Sequence, residues 1–267
     1  MDRPADRAGE SVSAPLLHVI IPVFNEGANF AALYERLRAD LPSPYELIIV
    51  YDFDEDDTLP VARACAATDP GLRLVRNADA GFVGALRTGF AAAGTGPCLV
   101  VMADLSDDLA VVPELLRRWQ LGDTVVCPSR YAAGGQHHGG PLIKRTLSGL
   151  AGRSFHLLTG IGTRDMTNNF RLYDGAFVAS QQIESRAGCE VALELTVKAF
   201  VNGFRVSEVP ATYTDRVAGE SRFRLWKWLP HYLRWYAWGL GYGVLRGRLW
   251  RPTALQRPRP GLADSLT

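Results

Sequence analysis

Short apolar runs alternate with amphipathic helical stretches from Leu16 to about Val126. The apolar runs are LLHVIIPVF (16–24), ELIIVYDF (46–53), LRLVRN (72–77), CLVVMADL (98–105) and TVVC (124–127). The helical stretches between them are FAALYERLRA (30–39), LPVARACAA (59–67), GALRTGFAAA (84–93) and VVPELLRRWQ (111–120). Strands that alternate with helices are joined by right-handed crossovers, which place the strands side by side in a mostly parallel sheet. The pattern therefore predicts a doubly wound α/β domain with helices on both faces of the sheet.

Acidic and polar side chains collect where the predicted strands end. Ligands of a doubly wound sheet bind beyond the carboxyl ends of its strands, so these residues are expected to face one crevice. The strand-end residues are Asn25 and Glu26, beside Pro22 and Val23, after the first strand, Asp52 to Asp57 after the second, Asp79 after the third, and Asp104 and Ser106, beside Ala103, after the fourth. We expect Asp52 to accept hydrogen bonds from a base or a ribose. We expect Asp56 or Asp57 to cap the helix that begins near Thr58.

The glycine signatures of two common nucleotide sites are absent from the sequence. There is no GxxxxGK[ST] segment, and Gly81, Gly84 and Gly89 do not form GxGxxG. The sequence therefore supports neither a P-loop ATPase nor a dinucleotide enzyme. Asp104 follows an apolar strand, where a carboxylate is well placed to bridge Mg²⁺ or Mn²⁺ to a diphosphate. The sequence favours a metal-bridged nucleotide.

Composition narrows the class of protein. The chain has 267 residues, of which 47% are hydrophobic, and this excludes disordered, collagen-like and disulfide-scaffold proteins. Its 29 basic and 28 acidic side chains leave a formal charge of +1, so no overall field attracts nucleic acid and no such partner is expected. The four cysteines form no CxxC pair, which is typical of buried thiols in a reducing cytosol.

The order of these motifs resembles that of the family 2 inverting glycosyltransferases, which have the GT-A fold. The similarity lies in VIIPVFNE, in the acidic end of the second strand, in Arg76-Asn77 with the glycines that follow, and in MADLSDD. The second half is similar to the dolichol-phosphate mannose synthase branch, through SRY (129–131), DMTNNFR (165–171), EVP (208–210) and the segment from Asp215 to Arg222. The resemblance covers about residues 16 to 225.

The resemblance implies a GT-A domain over residues 16–221 and a role for each matching residue. The donor nucleotide would contact Pro22, Val23, Asn25, Glu26, Asp52, Asp79 and Ala103. The metal, Mg²⁺ or Mn²⁺, would be held by Asp104 with Ser106, and the catalytic residues would be Asp104, Asp165 and Arg171. The acceptor phosphate would contact Arg130, Arg171, Arg216, Ser221 and Arg222.

Three positions depart from the family pattern. Tyr51-Asp52 stands where the family has two acids, Met102-Ala103-Asp104 stands where it has DxD, and Asn169 stands where it has glycine. Met102 removes one possible metal ligand and leaves Asp104 with Ser106 or Asp107.

The type of acceptor decides whether a protein base is needed. A phosphate monoester is largely dianionic at pH 7 and needs none. A hydroxyl acceptor would need one, and the candidates are Asp165, Glu190 and Glu194. Glu190 and Glu194 equally fit a solvated helix face, and Arg171 and Arg216 equally fit surface ion pairs. His137 and His138 lie in a glycine-rich stretch, which predicts a mobile lid rather than a metal centre.

The C-terminal part is aromatic and basic. Five of the six tryptophans lie between Trp226 and Trp250, and the segment from Arg216 to Arg259 has ten basic residues and one acidic residue. This composition predicts an amphipathic helix over 222–250, either lying in the headgroup layer of an anionic membrane or packed on the domain's own core. Pro230 fits the first turn of such a helix. The longest uncharged run, from Trp235 to Leu245, is much shorter than the about 20 residues that span a bilayer.

These observations lead to one main hypothesis and two alternatives. The main one is an enzyme, peripheral at the cytosolic face of a membrane, that moves a hexose from GDP-mannose or a UDP-hexose to a polyprenyl phosphate. It would attach through residues 222–250 or through a separate integral membrane partner, with residues 1–15 and 251–267 as disordered tails. The alternatives are a soluble glycosyltransferase with a hydroxyl acceptor and, because of Met102, a nucleotide-sugar binding protein without turnover.

Overall fold

The computed structural model describes residues 16–139, 141–215 and 225–246. The strands are β1 Leu17–Pro22, β2 Tyr45–Tyr51, β3 Leu72–Arg76, β4 Pro97–Val100, β5 Val125–Ser129, β6 Gln136–His138, β7 Arg171–Asp174, β8 Val206–Pro210 and β9 Thr212–Thr214. The helices are α1 Gly27–Asp40, α2 Thr58–Ala66, α3 Phe82–Ala93, α4 Val112–Gln120, α5 Leu142–Thr159, α6 Gly175–Ala179, α7 Val191–Val201 and α8 Leu225–Arg246. Each of the predicted strands and helices of the first half is present.

One seven-stranded sheet carries the domain, in the order β3-β2-β1-β4-β7-β5-β8. The strands β1 to β4 are parallel to their neighbours in that set, and β5 is parallel to β8. Only β7 runs antiparallel, between β4 and β5, within the described sheet. The chain builds outward from β1 to β3 and then returns to add β4 on the other side of β1. This reversal opens a crevice at the carboxyl ends of β1 and β4.

The sheet is covered on both faces, as the alternation in β1 illustrates. Leu17, Val19 and Ile21 pack with the side chains of α1, α2 and α4 on one face. Ile20 points to the other face and packs with α3 and α7. Neighbouring side chains of a strand point to opposite faces, so an apolar run without polar positions requires burial on both sides. The predicted mostly parallel, doubly covered sheet is confirmed.

The glycine-rich stretch after β5 differs from its prediction. It was expected to be a mobile lid, but β6 pairs with β9 in a second, two-stranded parallel sheet, which we call the β6–β9 ribbon. The His137 ring packs between the Tyr131 ring at 6.3 Å and the Tyr213 ring at 4.9 Å, measured between centroids. Burial and the nearby charge of Arg130 lower the pKa of His137 to about 4. This neutral imidazole is therefore part of an ordered wall.

The C-terminal helix α8 packs on the domain. Trp235 is buried in an apolar cluster that also contains Phe155 of α5 and Leu193 and Val197 of α7. The alternative of packing on the domain's own core is thus realised for one side of α8. Leu233 of the same helix is exposed. Pro230 lies inside the helix rather than in its first turn, because α8 begins at Leu225. Among the described helices none has the length and apolar character needed to cross a membrane.

Candidate functional site

Asp104 lies in a tight turn that follows β4 at the crevice. Its carboxylate is buried, and Oδ1 accepts hydrogen bonds from the Ser106 amide at 3.2 Å and the Ser106 hydroxyl at 2.5 Å. Leu105 between them has a left-handed φ of 64°, which is unfavourable for a residue with a branched side chain. Arg36 of α1 holds this turn from behind, since its guanidinium donates to the carbonyls of Leu105 at 3.0 Å and Asp107 at 2.9 Å. The direction of the Asp104 carboxylate is therefore fixed by α1.

Asp107 lies in the same turn and has one carboxylate oxygen turned to the backbone. It is buried, and its Oδ2 accepts a hydrogen bond from the Met102 amide at 2.8 Å. Burial raises the pKa of Asp107 to about 8. No group of three or more His, Cys, Asp or Glu side chains suited to a metal occurs in the part of the chain that the structure describes. Asp104 alone still fits Mg²⁺ or Mn²⁺, because such ions are often held by one or two carboxylates together with substrate phosphates.

Asp52 joins the ends of β2 and β3. One carboxylate oxygen accepts a hydrogen bond from the Asn77 side-chain amide at 2.6 Å, and the other accepts one from the Gly81 amide at 2.9 Å. Asp79 in this loop has a largely exposed side chain, 3.9 Å from Arg87. A Cβ on Gly84 would lie 1.6 Å from the Asp79 carbonyl oxygen, so only glycine lets α3 approach this loop. Asp52 therefore shapes the loop that carries Asp79.

The residues after β1 are fastened to the start of α2. The Asn25 amide donates to Asp56 at 3.1 Å, and the Glu26 amide donates to the Thr58 hydroxyl at 2.9 Å. Asp56 also accepts a hydrogen bond from the Thr58 amide at 2.8 Å, which is the cap predicted for this helix. Asp57 instead accepts a hydrogen bond from the Gly27 amide at 2.8 Å.

The predicted donor residues share one edge of the sheet. Pro22 ends β1, Val23 follows it as a buried residue, and Ala103 is buried beside Asp104. Only β1 separates β2, which ends before Asp52, from β4, which ends before Asp104. Two strand spacings amount to about 10 Å, a distance that a nucleoside diphosphate can span.

Arg130, which follows β5, and Asp165 form a buried ion pair with two hydrogen bonds. Arg130 Nε donates to Oδ2 at 2.7 Å, and Nη2 donates to Oδ1 at 2.8 Å. Burial alone would raise the pKa of Asp165, but the charge and hydrogen bonds of Arg130 outweigh it, and the pKa is lowered. The Arg130 guanidinium also lies over the rings of Tyr131 at 5.2 Å and Tyr213 at 5.4 Å. The arrangement fixes one cation rigidly at the edge of the crevice.

Tyr213 lies near both Asp104, whose turn we call the acidic wall, and Arg130, which with Thr167, Ser148 and Arg145 forms what we call the cationic wall. Burial raises its pKa, the negative charge of Asp104 raises it further, and the positive charge of Arg130 opposes this effect. Tyr213 therefore lies within electrostatic range of both residues. The next residue, Thr214, donates its amide to the Ser106 carbonyl at 3.3 Å. The structure thus brings Asp104 and Arg130 near the same residues of β9.

Arg171 is a correction to the sequence prediction. It was expected to contact an acceptor phosphate, but its side chain has 0% exposure at the start of β7. The guanidinium donates to the carbonyls of Asp165 at 2.7 Å and Ala192 at 3.0 Å, and to the Thr196 hydroxyl. An antiparallel strand inserted between β4 and β5 is covered on both faces, and this burial encloses Arg171. The position suits a residue that holds the backbone of Asp165, because the cation does not reach solvent.

Glu190 and Glu194 were expected either to act as a base for a hydroxyl acceptor or to form a solvated helix face. Both side chains are buried. Glu194 accepts hydrogen bonds from the amides of Glu184 and Ser185, each at 2.7 Å, and from Lys198 at 2.7 Å. Glu190 accepts hydrogen bonds from backbone amides of the loop before α7, that of Ala187 at 2.8 Å among them. These carboxylates organise that loop rather than forming a solvated helix face.

Three polar side chains that contact Arg130 or its neighbours were not anticipated as site residues from the sequence. Arg130 Nη2 donates to the Thr167 hydroxyl at 3.0 Å, and Thr167 lies 2.6 Å from the Ser148 hydroxyl of α5. Arg145, one turn earlier on α5, donates to the His137 carbonyl at 3.5 Å. Thr167 belongs to the DMTNNFR segment, whereas nothing in the local sequence distinguishes Ser148 and Arg145 from solvated helix residues. The predicted phosphate ligands Arg216, Ser221 and Arg222 lie outside the described residues.

Comparison with known proteins places this geometry in a family. Residues 18–179 match the model of the glycosyl transferase family 2. The chain is 30% identical to a polyprenol monophosphomannose synthase of Mycolicibacterium smegmatis, over 76% of this chain and 79% of that protein. It is 27% identical to a dolichol-phosphate mannosyltransferase of Pyrococcus furiosus, over 82% of this chain and 63% of that protein.

The fold is shared with solved glycosyltransferases. The glucosyl-3-phosphoglycerate synthase of Mycobacterium tuberculosis, solved with Mn²⁺, UDP-glucose and phosphoglyceric acid, superposes with a TM-score of 0.62 at 16% identity. The match covers 90% of this chain and 86% of that one, and it confirms the predicted GT-A fold. The family match over residues 18–179 and the 30% identity to the synthase of Mycolicibacterium smegmatis agree with this fold. The chain belongs to glycosyl transferase family 2.

Proposed function

We propose that this protein transfers a hexose from a nucleoside-diphosphate sugar, GDP-mannose or a UDP-hexose, to a polyprenyl phosphate. The observation that carries the proposal is that Asp104 and Arg130 both lie near Tyr213: the Arg130 guanidinium is 5.4 Å from the centre of the Tyr213 ring, and the charge of Asp104 raises the Tyr213 pKa. An acidic wall suits a metal-bridged diphosphate, and a cationic wall suits a second anionic substrate. The names of the two relatives, which act on polyprenol and dolichol phosphates, support the same acceptor class.

The donor would lie along the carboxyl ends of β1 to β4. Asp52 and Asp79 would meet the nucleoside, together with Pro22, Val23, Asn25, Glu26 and Ala103. Asp104, with the Ser106 oxygen beside it, would hold Mg²⁺ or Mn²⁺, and the mycobacterial synthase solved with Mn²⁺ supports this class of ion. A bound divalent cation neutralises charge that develops on the departing diphosphate. Arg36 keeps the Asp104 turn in place for that role.

The acceptor phosphate would enter at the cationic wall. The charge of Arg130 is already balanced by Asp165, so Arg145 supplies the additional positive charge, and we propose it as a phosphate contact alongside Arg130. Arg216, Ser221 and Arg222 stay proposed contacts from the segment after β9. A phosphate dianion attacks the anomeric carbon from the face opposite the diphosphate without a protein base. Backbone amides engage both carboxylate oxygens of Glu194, which weighs against Glu194 as the base that a hydroxyl acceptor needs.

Asp165 and Arg171 would position other groups of the site rather than contact the substrates. Asp165 orients Arg130, and Arg171 holds the Asp165 carbonyl from inside the core. We propose that the protein works at the cytosolic face of a membrane, either directly through residues 222–250 or through an integral membrane partner.

Incubation with labelled nucleotide sugars and polyprenyl phosphate tests the proposal. We expect label to pass into the organic phase with one donor and to require a divalent cation. Label that enters only water-soluble products, whatever lipid is supplied, would favour a hydroxyl acceptor. Donor binding by calorimetry with no transfer to any acceptor would favour a binding protein without turnover.

Replacing Asp52 by alanine is expected to weaken donor binding by at least about tenfold. The substitution removes two hydrogen bonds to a charged acceptor, each worth about 1.5–3 kcal/mol, and loosens the loop that carries Asp79. Calorimetric titration with the nucleoside diphosphate measures the effect. Asp54→Ala is the matched control, because Asp54 forms only an exposed pair with Arg76. Equal dissociation constants for Asp52→Ala and Asp54→Ala would exclude the donor role of Asp52.

A further inference from the structure

We infer that the side-chain oxygen of Asn169 is a further protein ligand of the divalent cation that Asp104 holds. The inference rests on the proposed function for the presence of that cation, and it concerns which atoms of this chain bind it. Asn169 stands where the family pattern has glycine, so the pattern itself offers no side-chain ligand at this position. Amide oxygens are hard donors of the kind that Mg²⁺ and Mn²⁺ accept beside carboxylates and phosphates.

Strand register places Asn169 next to the turn that carries Asp104. β7 pairs antiparallel with β4 up to the last residue of β4. The next residues on the two strands, Val101 and Phe170, pack in the same apolar cluster, which indicates that the register continues beyond the ladder. One pair further along, Met102 faces Asn169. Residues that face each other in an antiparallel pair have Cβ atoms about 4.5–5.5 Å apart, so Asn169 lies beside the position where the family pattern has an acid.

The Asn169 side chain presents a buried oxygen that lacks a donor. Oδ1 is buried, and it has no hydrogen-bond partner within residues 16–139, 141–215 and 225–246. The side-chain nitrogen donates a hydrogen bond to the Cys189 thiol, so the oxygen is the atom left for an incoming group. A buried acceptor without a donor is destabilising, and a bound cation would satisfy it.

The Cys189 thiol also lies close to Asp104. Burial raises the pKa of Cys189 to about 12, with the negative charges of Glu190 and Asp104 acting in the same direction and the hydrogen bond from Asn169 opposing them. The Asp104 carboxylate is thus within electrostatic range of the group that the Asn169 amide contacts. The two side chains therefore approach each other near the end of β4 and the start of β7.

The backbone on both sides of Asn169 is fixed. The Asn168 side-chain nitrogen donates to the Pro128 carbonyl at 3.3 Å, and the Asn168 side-chain oxygen accepts a hydrogen bond from the Phe170 amide at 3.2 Å. Phe170 itself is buried in the core. Asn169 is therefore held in position before a ligand arrives, as a preorganised binding group has to be.

A neutral amide in place of a carboxylate changes the charge of the site. The cation would keep more of its positive charge than it would between two carboxylates, so its attraction for a diphosphate would be stronger. The protein alone would in turn bind the free cation more weakly. We therefore expect Mn²⁺ to bind mainly together with the nucleoside diphosphate.

Mn²⁺ titration of the full chain tests the inference, with electron paramagnetic resonance reporting the free ion. Mn²⁺ is supplied alone, with GDP and with UDP. Asn169→Ala is expected to weaken Mn²⁺ binding in the presence of the diphosphate by at least about tenfold, since losing even a group that only orients a ligand costs about 10–100-fold. Asn169→Asp is expected to tighten Mn²⁺ binding, because an anionic oxygen replaces a neutral one. Asn202→Ala is the matched control, because Asn202 is an exposed asparagine directly after α7.

The Mn²⁺ readout needs neither acceptor nor turnover, so it separates this inference from the proposed function. Weaker binding by Asn169→Ala together with tighter binding by Asn169→Asp supports the inference even where no transfer to a lipid is found, and a gain of affinity does not arise from a damaged fold. Wild-type Mn²⁺ affinity in Asn169→Ala, or an equal loss in Asn169→Ala and Asn169→Asp, would overturn it. So would weaker binding of the nucleoside-diphosphate sugar by Asn169→Ala with unchanged Mn²⁺ affinity, because the amide would then bind a hexose hydroxyl.

Discussion

Asp104→Asn is expected to lower the transfer rate by about a thousandfold, the effect of removing a preorganised charge partner from a leaving group. Asparagine has almost the same shape, and its side-chain oxygen can still accept the two hydrogen bonds from Ser106. The turn held by Arg36 should therefore persist, and the loss would report the missing charge. The effect should be large because Met102 stands where the family pattern has a second carboxylate.

Two measurements isolate this effect. Rates at saturating donor report the chemical step, and Mn²⁺ titration followed by electron paramagnetic resonance reports the ion independently of turnover. We expect the variant to bind Mn²⁺ more weakly in the presence of nucleoside diphosphate. Asp54→Asn, which removes an exposed carboxylate near the same edge, should leave both readouts unchanged. Wild-type rate and Mn²⁺ affinity in Asp104→Asn would remove the metal assignment.

Asp165→Asn is expected to lower the free energy of unfolding by about 3–5 kcal/mol, because it leaves the Arg130 cation buried without its counterion. The pKa of Asp165 is lowered in the folded state, so this carboxylate stabilises the fold above its unfolded pKa of about 3.9. That contribution is lost as the pH falls through the folded pKa. The stability difference between wild type and variant should therefore shrink in acid.

Urea unfolding at neutral pH and in acid measures both effects. The double variant Arg130→Gln with Asp165→Asn should be less destabilised than the sum of the single variants, since it removes both charges. Asp54→Asn serves again as an exposed comparison and should change stability by less than about 1 kcal/mol. A stability of Asp165→Asn equal to that of Asp54→Asn would show that the pair adds nothing to the fold.

Strand ends could be predicted from the sequence because they depend on local pattern. Asp52 and Asp104 each follow an apolar run, and parallel strands bring such positions to one edge whatever the loops between them do. The cap formed by Asp56 is local in the same sense, because its partner Thr58 is two residues away. These features required no knowledge of distant contacts.

The residues whose surroundings the sequence did not predict are placed by contacts between distant parts of the chain. Arg171 looks like an exposed motif arginine until β7 is known to insert between β4 and β5. Glu194 and Lys198 have the spacing of a solvated helix pair, and only the loop that donates the amides of Glu184 and Ser185 buries the carboxylate. In the sequence, Arg145 looks like any exposed basic residue of a helix. Its contact with the His137 carbonyl of β6, which is distant in structure elements, is what makes it a candidate site residue.

The β6–β9 ribbon has a consequence for the order of events in a catalytic cycle. Thr214 bonds the Ser106 carbonyl on the acidic wall, while the Asp215 amide donates to the His138 carbonyl at 3.1 Å, next to the residue that Arg145 contacts. With the donor and acceptor placed as proposed, the two substrates would lie at the two sides of the β6–β9 ribbon. By thermodynamic reciprocity, any adjustment of the ribbon that helps one substrate to settle changes the affinity for the other by an equal factor. The ribbon would then couple donor binding to acceptor binding, in addition to any direct contact between the two substrates.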